Sequence, residues 1–373
     1  MNELAPEDQL RLQVLLNQNL LALRIDEASM KVFGLNPGGE MALKLNPNHK
    51  DAPYLKAVRE FISSHILGSP GGYPIYLKRW TRMGQMRSES LAQLLLLGEP
   101  EAVVAVVHAQ GLTDELARRA WWAMPTAENA RRMLEKSDVA QGNMGPILAQ
   151  YLIDYLPFET EAGDSIDSIR LALQPGLINS QTQRQLWQKA AKKTSYYAGF
   201  LLSIPSALPE QAAPHGLWEP LRNHLNMTPS PQKNALIDIL LCFCSSAGQQ
   251  FLKIFLIAVD KPQNQEVVYA LLKALVSYVN ITPENNTPAH NMETLQHQHQ
   301  SLWVLQRQKL TTLINALPAI EPLLEASVFL SCISENIVNP IFSHSDASGT
   351  VMRRKLEPVF APIKYHCTKL MGA

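Results

Sequence analysis

Basic and aromatic side chains interleave in two stretches of this chain. Cations draw phosphate, and aromatic rings offer faces on which bases stack. In the first stretch Lys78, Arg79, Arg82 and Arg87 alternate with Tyr73, Tyr76 and Trp80, and no acidic residue lies between Phe61 and Ser88. In the second, from Ser168 to Pro209, Arg170, Arg184, Lys189, Lys192 and Lys193 stand beside Trp187, Tyr196 and Tyr197, again without an acid. Such surfaces suit single-stranded RNA or phosphate. A plainer reading competes with that one. At helical spacing Leu186, Trp187, Ala190 and Ala191 share one arc, and Arg184, Lys189, Lys192 and Lys193 cover the other, as on any solvated amphipathic helix. Arg118, Arg119 and Trp122 form a third candidate. Trp121 falls on the arc of Ala117, Ala120 and Met124 and is expected in the core. Trp122 falls on the opposite arc, where it either packs on a neighbouring helix pair or anchors a protein partner.

Catalytic signatures are missing. There is no phosphate-binding P-loop, no GxGxxG after a strand, no HExxH and no GxSxG elbow. Gly68-Ser69-Pro70-Gly71-Gly72 has the composition of a backbone anion nest, but no Lys-Ser/Thr follows it, so it reads as a turn joining two regions. His297 and His299 would point apart on a helix and could share a metal only in a loop; the polarity of a linker explains them. His65 and His108 sit in apolar helical patterns and are expected as hydrogen-bonded core histidines. The four cysteines, Cys242, Cys244, Cys332 and Cys367, form no CxxC pair, which argues against a disulfide framework or a structural zinc site and for reduced thiols. No catalytic, cofactor-binding or metal-ligating residue is therefore assigned.

The elements that must position these residues follow from composition and periodicity. The chain has 373 residues, 46% of them hydrophobic and 18% charged, enough to bury a sizeable core. Its formal net charge is zero, so bulk attraction to nucleic acid or anionic lipid is not expected, and binding of that kind needs local segregation of charge. The N-terminal MNELAPEDQ has no secretory pattern, and the most apolar segment, Ala235–Val259, is interrupted by Asp238, Gln249, Gln250 and Lys253. A cytoplasmic protein without membrane insertion is the expectation.

Along the chain, Pro6 opens a first helix with Glu7 and Asp8 at its positive end and Leu10, Val14 and neighbouring leucines in its apolar stripe. The period then becomes two. Strands are expected over Leu21–Asp26, Met30–Leu35 and Glu40–Leu45, with Asn36-Pro37-Gly38-Gly39 as a hairpin turn. Helical spacing resumes over Tyr54–Leu67, and Gly68 caps it. Residues 1–67 thus form a small α+β module with a three-stranded antiparallel meander. Residues 68–280 read as a helical array, punctuated by Gly98-Glu99-Pro100, Gly111, Pro125, Pro157, Pro175-Gly176 and Pro205, with N-caps at Thr113, Thr126 and Ser180. Helices of about ten to fifteen residues with short connections suggest HEAT-like stacked pairs, an α-α superhelix. Residues 281–373 read as a linker, Ile281–His299, followed by C-terminal helices over about Leu302–Leu317 and Ile320–Ile337.

Three strings, GSPGGYPIYLKRWTRMGQ, LLLLGEPEAVVAVVHAQGLTDELARRAWWAMPTAENARRMLE and LQPGLI, give the chain its resemblance to a known family. Over about Leu55–Leu202 it resembles the DsrS family, soluble proteins encoded with the dissimilatory sulfite reductase system of sulfur-oxidising bacteria. The resemblance implies an accessory or regulatory role in sulfur metabolism. It transfers no catalytic residue and no redox chemistry, since the cysteines lack the spacing of an iron–sulfur site. The expectation is a non-enzymatic cytoplasmic scaffold with a protein partner; the alternative is an RNA- or phosphate-binding regulator using residues 73–87 and 184–197.

Overall fold

The period-two segment near the N-terminus is a three-stranded antiparallel sheet, in the order β1-β2-β3, in the computed structural model, which describes residues 4–68, 88–227, 234–279, 289–343 and 348–372. Helix α1 (Pro6–Leu16) begins on its proline, as expected, and is followed by β1 (Ala22–Asp26), β2 (Lys31–Asn36) and β3 (Gly39–Lys44). Asn36 pairs with Gly39, which leaves Pro37-Gly38 as the two-residue turn. Gly39 takes a φ of 129°, and the Gly38 N–H donates to Asn36 Oδ1 at 2.8 Å. Helix α2 (Asp51–Leu67) ends at Gly68 in the left-handed conformation, with φ of 65°.

The chain packs into two compact units, Met1–Tyr155 and Leu156–Ala373, and the boundary falls inside the region 68–280 read as one array. In the first unit α1 and α2 cover the sheet with Leu12, Leu15, Leu16, Tyr54, Leu55, Val58 and Ile62. Of the apolar stripe expected on α1, the leucines Leu12, Leu15 and Leu16 are buried but the two residues singled out are not. Leu10 and Val14 are exposed, whereas Asp8 is buried and accepts from the Tyr54 hydroxyl and from the Asn46 N–H. A polar anchor turned the helix, because a buried carboxylate must stay with its donors.

Beyond the sheet the first unit continues with α3 (Ser88–Leu94), α4 (Pro100–His108), α5 (Asp114–Ala123), α6 (Ala127–Leu134), α7 (Ser137–Ala140) and α8 (Met144–Tyr155). Thr113 and Thr126 cap α5 and α6, accepting from Leu116 N–H and Asn129 N–H. Asp114 serves a distant helix as well. Its carboxylate accepts from the N–H groups of Asn143 and Met144 at the start of α8, and Gly142 leaves it room. Asp114→Ala is expected to cost about 1–2 kcal/mol, a lost N-terminal cap, read as a lower urea midpoint with an unchanged slope. His65 and His108 are exposed, not core residues; His65 lies in the last turn of α2, and His108 lies off the buried arc of α4.

The second unit comprises α9 (Ala162–Ala172), α10 (Ser180–Ala190), α11 (Thr194–Ser203), α12 (Trp218–Met227), α13 (Ala235–Cys244), α14 (Ser246–Asp260), α15 (Gln265–Val279), α16 (Met292–Lys309), α17 (Thr311–Ala316), α18 (Glu321–Ser331), α19 (Asn339–Phe342) and α20 (Gly349–Leu370). One continuous core runs from Leu156 to Leu370. Helix α11 lies at its centre, packed on α9, α10, α14 and α15. The cap of α10 is Asn179, one residue before the serine expected there. The linker expected over Ile281–His299 is helical from Met292 onward, and the helix expected from Leu302 to Leu317 breaks between Lys309 and Thr311. Asn291 explains the early start: its side chain accepts from Thr294 N–H and nucleates a polar helix that no apolar stripe announces.

Among the described residues no single helix is long and apolar enough to cross a membrane. Helices α13 and α14 together reach that length and composition, but they are bent by 77° and carry much of the unit's core.

Candidate partner-binding surface

Each basic-aromatic nomination has a distinct fate. Lys78, Arg79, Arg82 and Arg87 lie outside the described residues. Arg118 and Arg119, on α5, both grip Glu115. Arg118 donates through Nε and Nη2 at 2.8 Å each, and Arg119 through Nε at 2.9 Å. The Arg118 hydrogen bonds above all, with those of Arg119, hold the Glu115 carboxyl down at about 2. The trio presents less free positive charge than its sequence suggests.

Trp122 is bound into the sheet of its own unit. Its Nε1–H donates to Glu40 Oε2 on β3 at 2.8 Å. The Arg24 guanidinium of β1 lies 5.0 Å from the Trp122 ring centre and 4.7 Å from that of Phe33. Indole, guanidinium and phenyl form a stack that fastens α5 to the sheet. Trp121, expected in the core, is half-buried with its ring edge-on to Tyr151 at 4.7 Å.

On α10 and its junction with α11, Lys189 and Lys192 are exposed, and the Lys193 ammonium sits 5.3 Å from the Tyr196 ring centre. The aromatics of this stretch face the other way. Trp187 and Tyr196 are 5% and 4% exposed, and Trp187 packs edge-on against Tyr197 and Phe200. Base stacking requires an open ring face. These two faces are core, so the cations belong to a solvated helix edge.

Reactive groups are scarce. All four cysteines are free; Cys244, Cys332 and Cys367 are buried. Burial pushes the Cys244 thiol up to about 12 and Cys332 to about 11, which leaves them protonated and unreactive near neutrality. Among the described residues no cluster of three or more His, Cys, Asp or Glu side chains is arranged to hold a metal.

A groove of about 630 Å³ opens between α9, α11 and α15, lined in part by Asp167, Arg170, Glu266, Tyr269, Lys273 and Glu335. Much of its polarity is internally used. Asp167 pairs with Arg170 at 3.1 Å, Glu266 accepts from Gly163 N–H at 2.7 Å and caps α9, and the Tyr269 hydroxyl donates to Asn339 Oδ1 at 2.8 Å.

Among the described residues, α16 carries a surface with the composition of a protein contact. Leu295 is its one fully buried residue, so most of the helix faces solvent. Between Glu293 and Arg307 it carries no charged side chain, only Thr, Leu, Gln, His, Ser, Trp and Val. Val304 and Leu305 are 59% and 47% exposed, next to the partly buried Leu302 and Trp303. Solvated helices normally carry charge on the outer face, and the cores of protein interfaces are depleted of it. Sequence reasoning passed over this surface by assigning its first half to a linker; the charge gap itself was legible. Comparison with known protein families, with curated proteins and with solved structures gives no match.

Proposed function

We propose that this protein is a non-enzymatic, cytoplasmic helical scaffold or accessory factor that binds a protein partner through the uncharged outer face of α16. The observation that carries the reading is that face: a helix open to solvent, without charge from Thr294 to Gln306, with Val304 and Leu305 exposed toward its C-terminal end. The resemblance of residues 55–202 to the DsrS family connects the partner with dissimilatory sulfur metabolism. HEAT-like stacking of helix pairs is part of the proposal. It is supported by the packing of sequence neighbours, α4 on α5, α10 on α11, α13 on α14 and α14 on α15.

The test is a tagged pull-down from the native host, with and without nuclease. The variant Val304→Glu/Leu305→Glu is expected to recover its partner at least tenfold less well, because each glutamate puts an unpaired charge into the contact. Its circular dichroism should match the parent, since both positions are exposed. Undiminished recovery from the variant would remove α16 as the contact. Loss of every partner on RNase digestion would favour the alternative RNA-binding reading, in which the exposed Lys189 and Lys192 supply the phosphate contacts.

A further inference from the structure

His299 on α16 and His366 on α20 face each other across Phe329 of α18. The imidazole centres are 5.8 Å apart; Phe329 stacks on His366 at 4.0 Å and meets His299 edge-on at 5.4 Å. His366 is 8% exposed and His299 half-buried. One nitrogen on each ring, Nε2 of His299 and Nδ1 of His366, is buried with no hydrogen-bond partner. A neutral imidazole keeps one nitrogen as a bare acceptor, and a buried bare acceptor is a tolerable loss. A protonated imidazole has donors at both nitrogens, and those at His299 Nε2 and His366 Nδ1 meet no acceptor, although the Glu325 backbone favours protonated His299.

The surrounding charges oppose protonation of His366 and divide at His299, where Glu325 favours it and Lys369 opposes it. Lys369, on the same helix as His366, disfavours a positive charge on either ring. Glu325, on α18, is the counter-charge near His299, and it already accepts from Lys369 at 3.4 Å. Tyr365 contacts His366 edge-on at 5.2 Å. The other elements packed here, α14 and the short helical turn Glu335–Val338 on α20 and α17 on α16, contribute no charge that shifts either ring. Besides the histidine contact, α16 is held by the fully buried Leu295, by the partly buried Met292, Leu302 and Trp303, and by the Arg307–Glu321 ion pair to α18 at 2.6 Å.

We infer that His299 and His366 are an acid-sensitive latch, which holds α16 against α18 and α20 at neutral pH and releases it in mild acid. The inference is independent of what α16 binds. Burial, then His299 and Lys369, pushes His366 down to about 4, and burial lowers His299 as well, against an upward pull from Glu325. Both rings therefore bind protons more weakly folded than unfolded. The stabilisation is complete above the ordinary histidine value of about 6.5, and it is lost as pH falls from there toward about 4.

Hydrogen exchange of the full chain, read by mass spectrometry at pH 7.5 and pH 5.0 and corrected for the intrinsic rate, tests this. Peptides from α16 are expected to lose at least tenfold in protection at pH 5.0, while peptides from α11 keep theirs. His299→Phe/His366→Phe should shrink the α16 difference to less than about twofold. If that variant does not fold, His299→Gln alone should at least halve the pH response on a logarithmic scale. His215 is also lowered by burial, and His215→Asn should leave the α16 response unchanged. Protection of α16 that is the same at both pH values, or an undiminished response in the histidine variants, would overturn the latch.

Discussion

Gly248→Ala is expected to destabilise the Leu156–Ala373 unit by about 3 kcal/mol or more, at or beyond the upper end of ordinary overpacking. Helix α14 starts immediately after α13, and Ser245 ends the one helix while capping the other. Its hydroxyl donates to Cys242 O at 2.6 Å and accepts from Gly248 N–H at 3.1 Å. A methyl group on Gly248 would lie 2.0 Å from Cys242 O and 2.6 Å from both Phe243 Cα and Phe243 O. Those are backbone atoms of the last turn of α13, so no side-chain rotation relieves the overlap. The bend must open, and Gln249 is next in line: it donates to Phe243 O at 2.9 Å and to Leu370 O at 2.8 Å, tying α20 to the same corner. Since whole domains are stable by only about 5–15 kcal/mol, the variant should show a sharply lower guanidinium midpoint or fail to accumulate. Gly216→Ala is the control, because nothing lies within 4 Å of its new methyl group. A Gly248→Ala midpoint equal to that of Gly216→Ala would show that the corner yields without cost.

Asp8→Ala is the second large effect, in the Met1–Tyr155 unit. Asp8 is 1% exposed and joins three pieces of chain: its own helix α1, the loop after β3 through Asn46 N–H at 2.8 Å, and α2 through the Tyr54 hydroxyl. Burial, with the Asp8 hydrogen bond, raises the Tyr54 phenol far above its usual range, so it remains a donor at every physiological pH. Arg11 lies 3.8 Å from Asp8 Oδ1, an ion pair beyond hydrogen-bond range that partly offsets the buried charge. Alanine would strand the Tyr54 hydroxyl and the Asn46 N–H. At about 1–3 kcal/mol for each unsatisfied group the expected loss is about 2–6 kcal/mol. Tyr54→Phe should cost less, about 1–2 kcal/mol, since the carboxylate keeps Asn46. Urea unfolding of both single variants and the double variant measures the pair, and additive effects would deny the contact an energetic role.

These sites differ in how far they could be read in advance. Much that is local was legible. Asn36-Pro37-Gly38-Gly39 announced the hairpin because only a few residue types accept its dihedral angles, and the period-two alternation on either side located the strands to within a residue. Thr113, Thr126 and Gly68 announced helix ends for the same kind of reason. Where the local signal was weak, the reading failed. Helix α16 has so little apolar periodicity that its first half looked like a linker, yet its missing charge was in plain view. Val14 and Leu10 matched a stripe at the right spacing, but spacing cannot say which of two arcs a buried aspartate will claim.

The candidate site divides in the same way. Periodicity and turn residues alone determined that the chain is mainly helical and begins with a small antiparallel sheet, and the residue order showed two acid-free basic stretches. Only the tertiary structure decided that Trp187 and Tyr196 turn inward, that Trp122 closes on Arg24 and Glu40, and that His299 meets His366 across Phe329. Gly248 is the clearest case: its own backbone angle is ordinary, and it is required because another helix's carbonyl stands where a methyl would be. The reason is physical. Dihedral preference, capping and turn chemistry act over a few neighbouring residues and are written in their order, whereas burial, ion pairing and steric exclusion depend on partners that the chain brings together only when it folds.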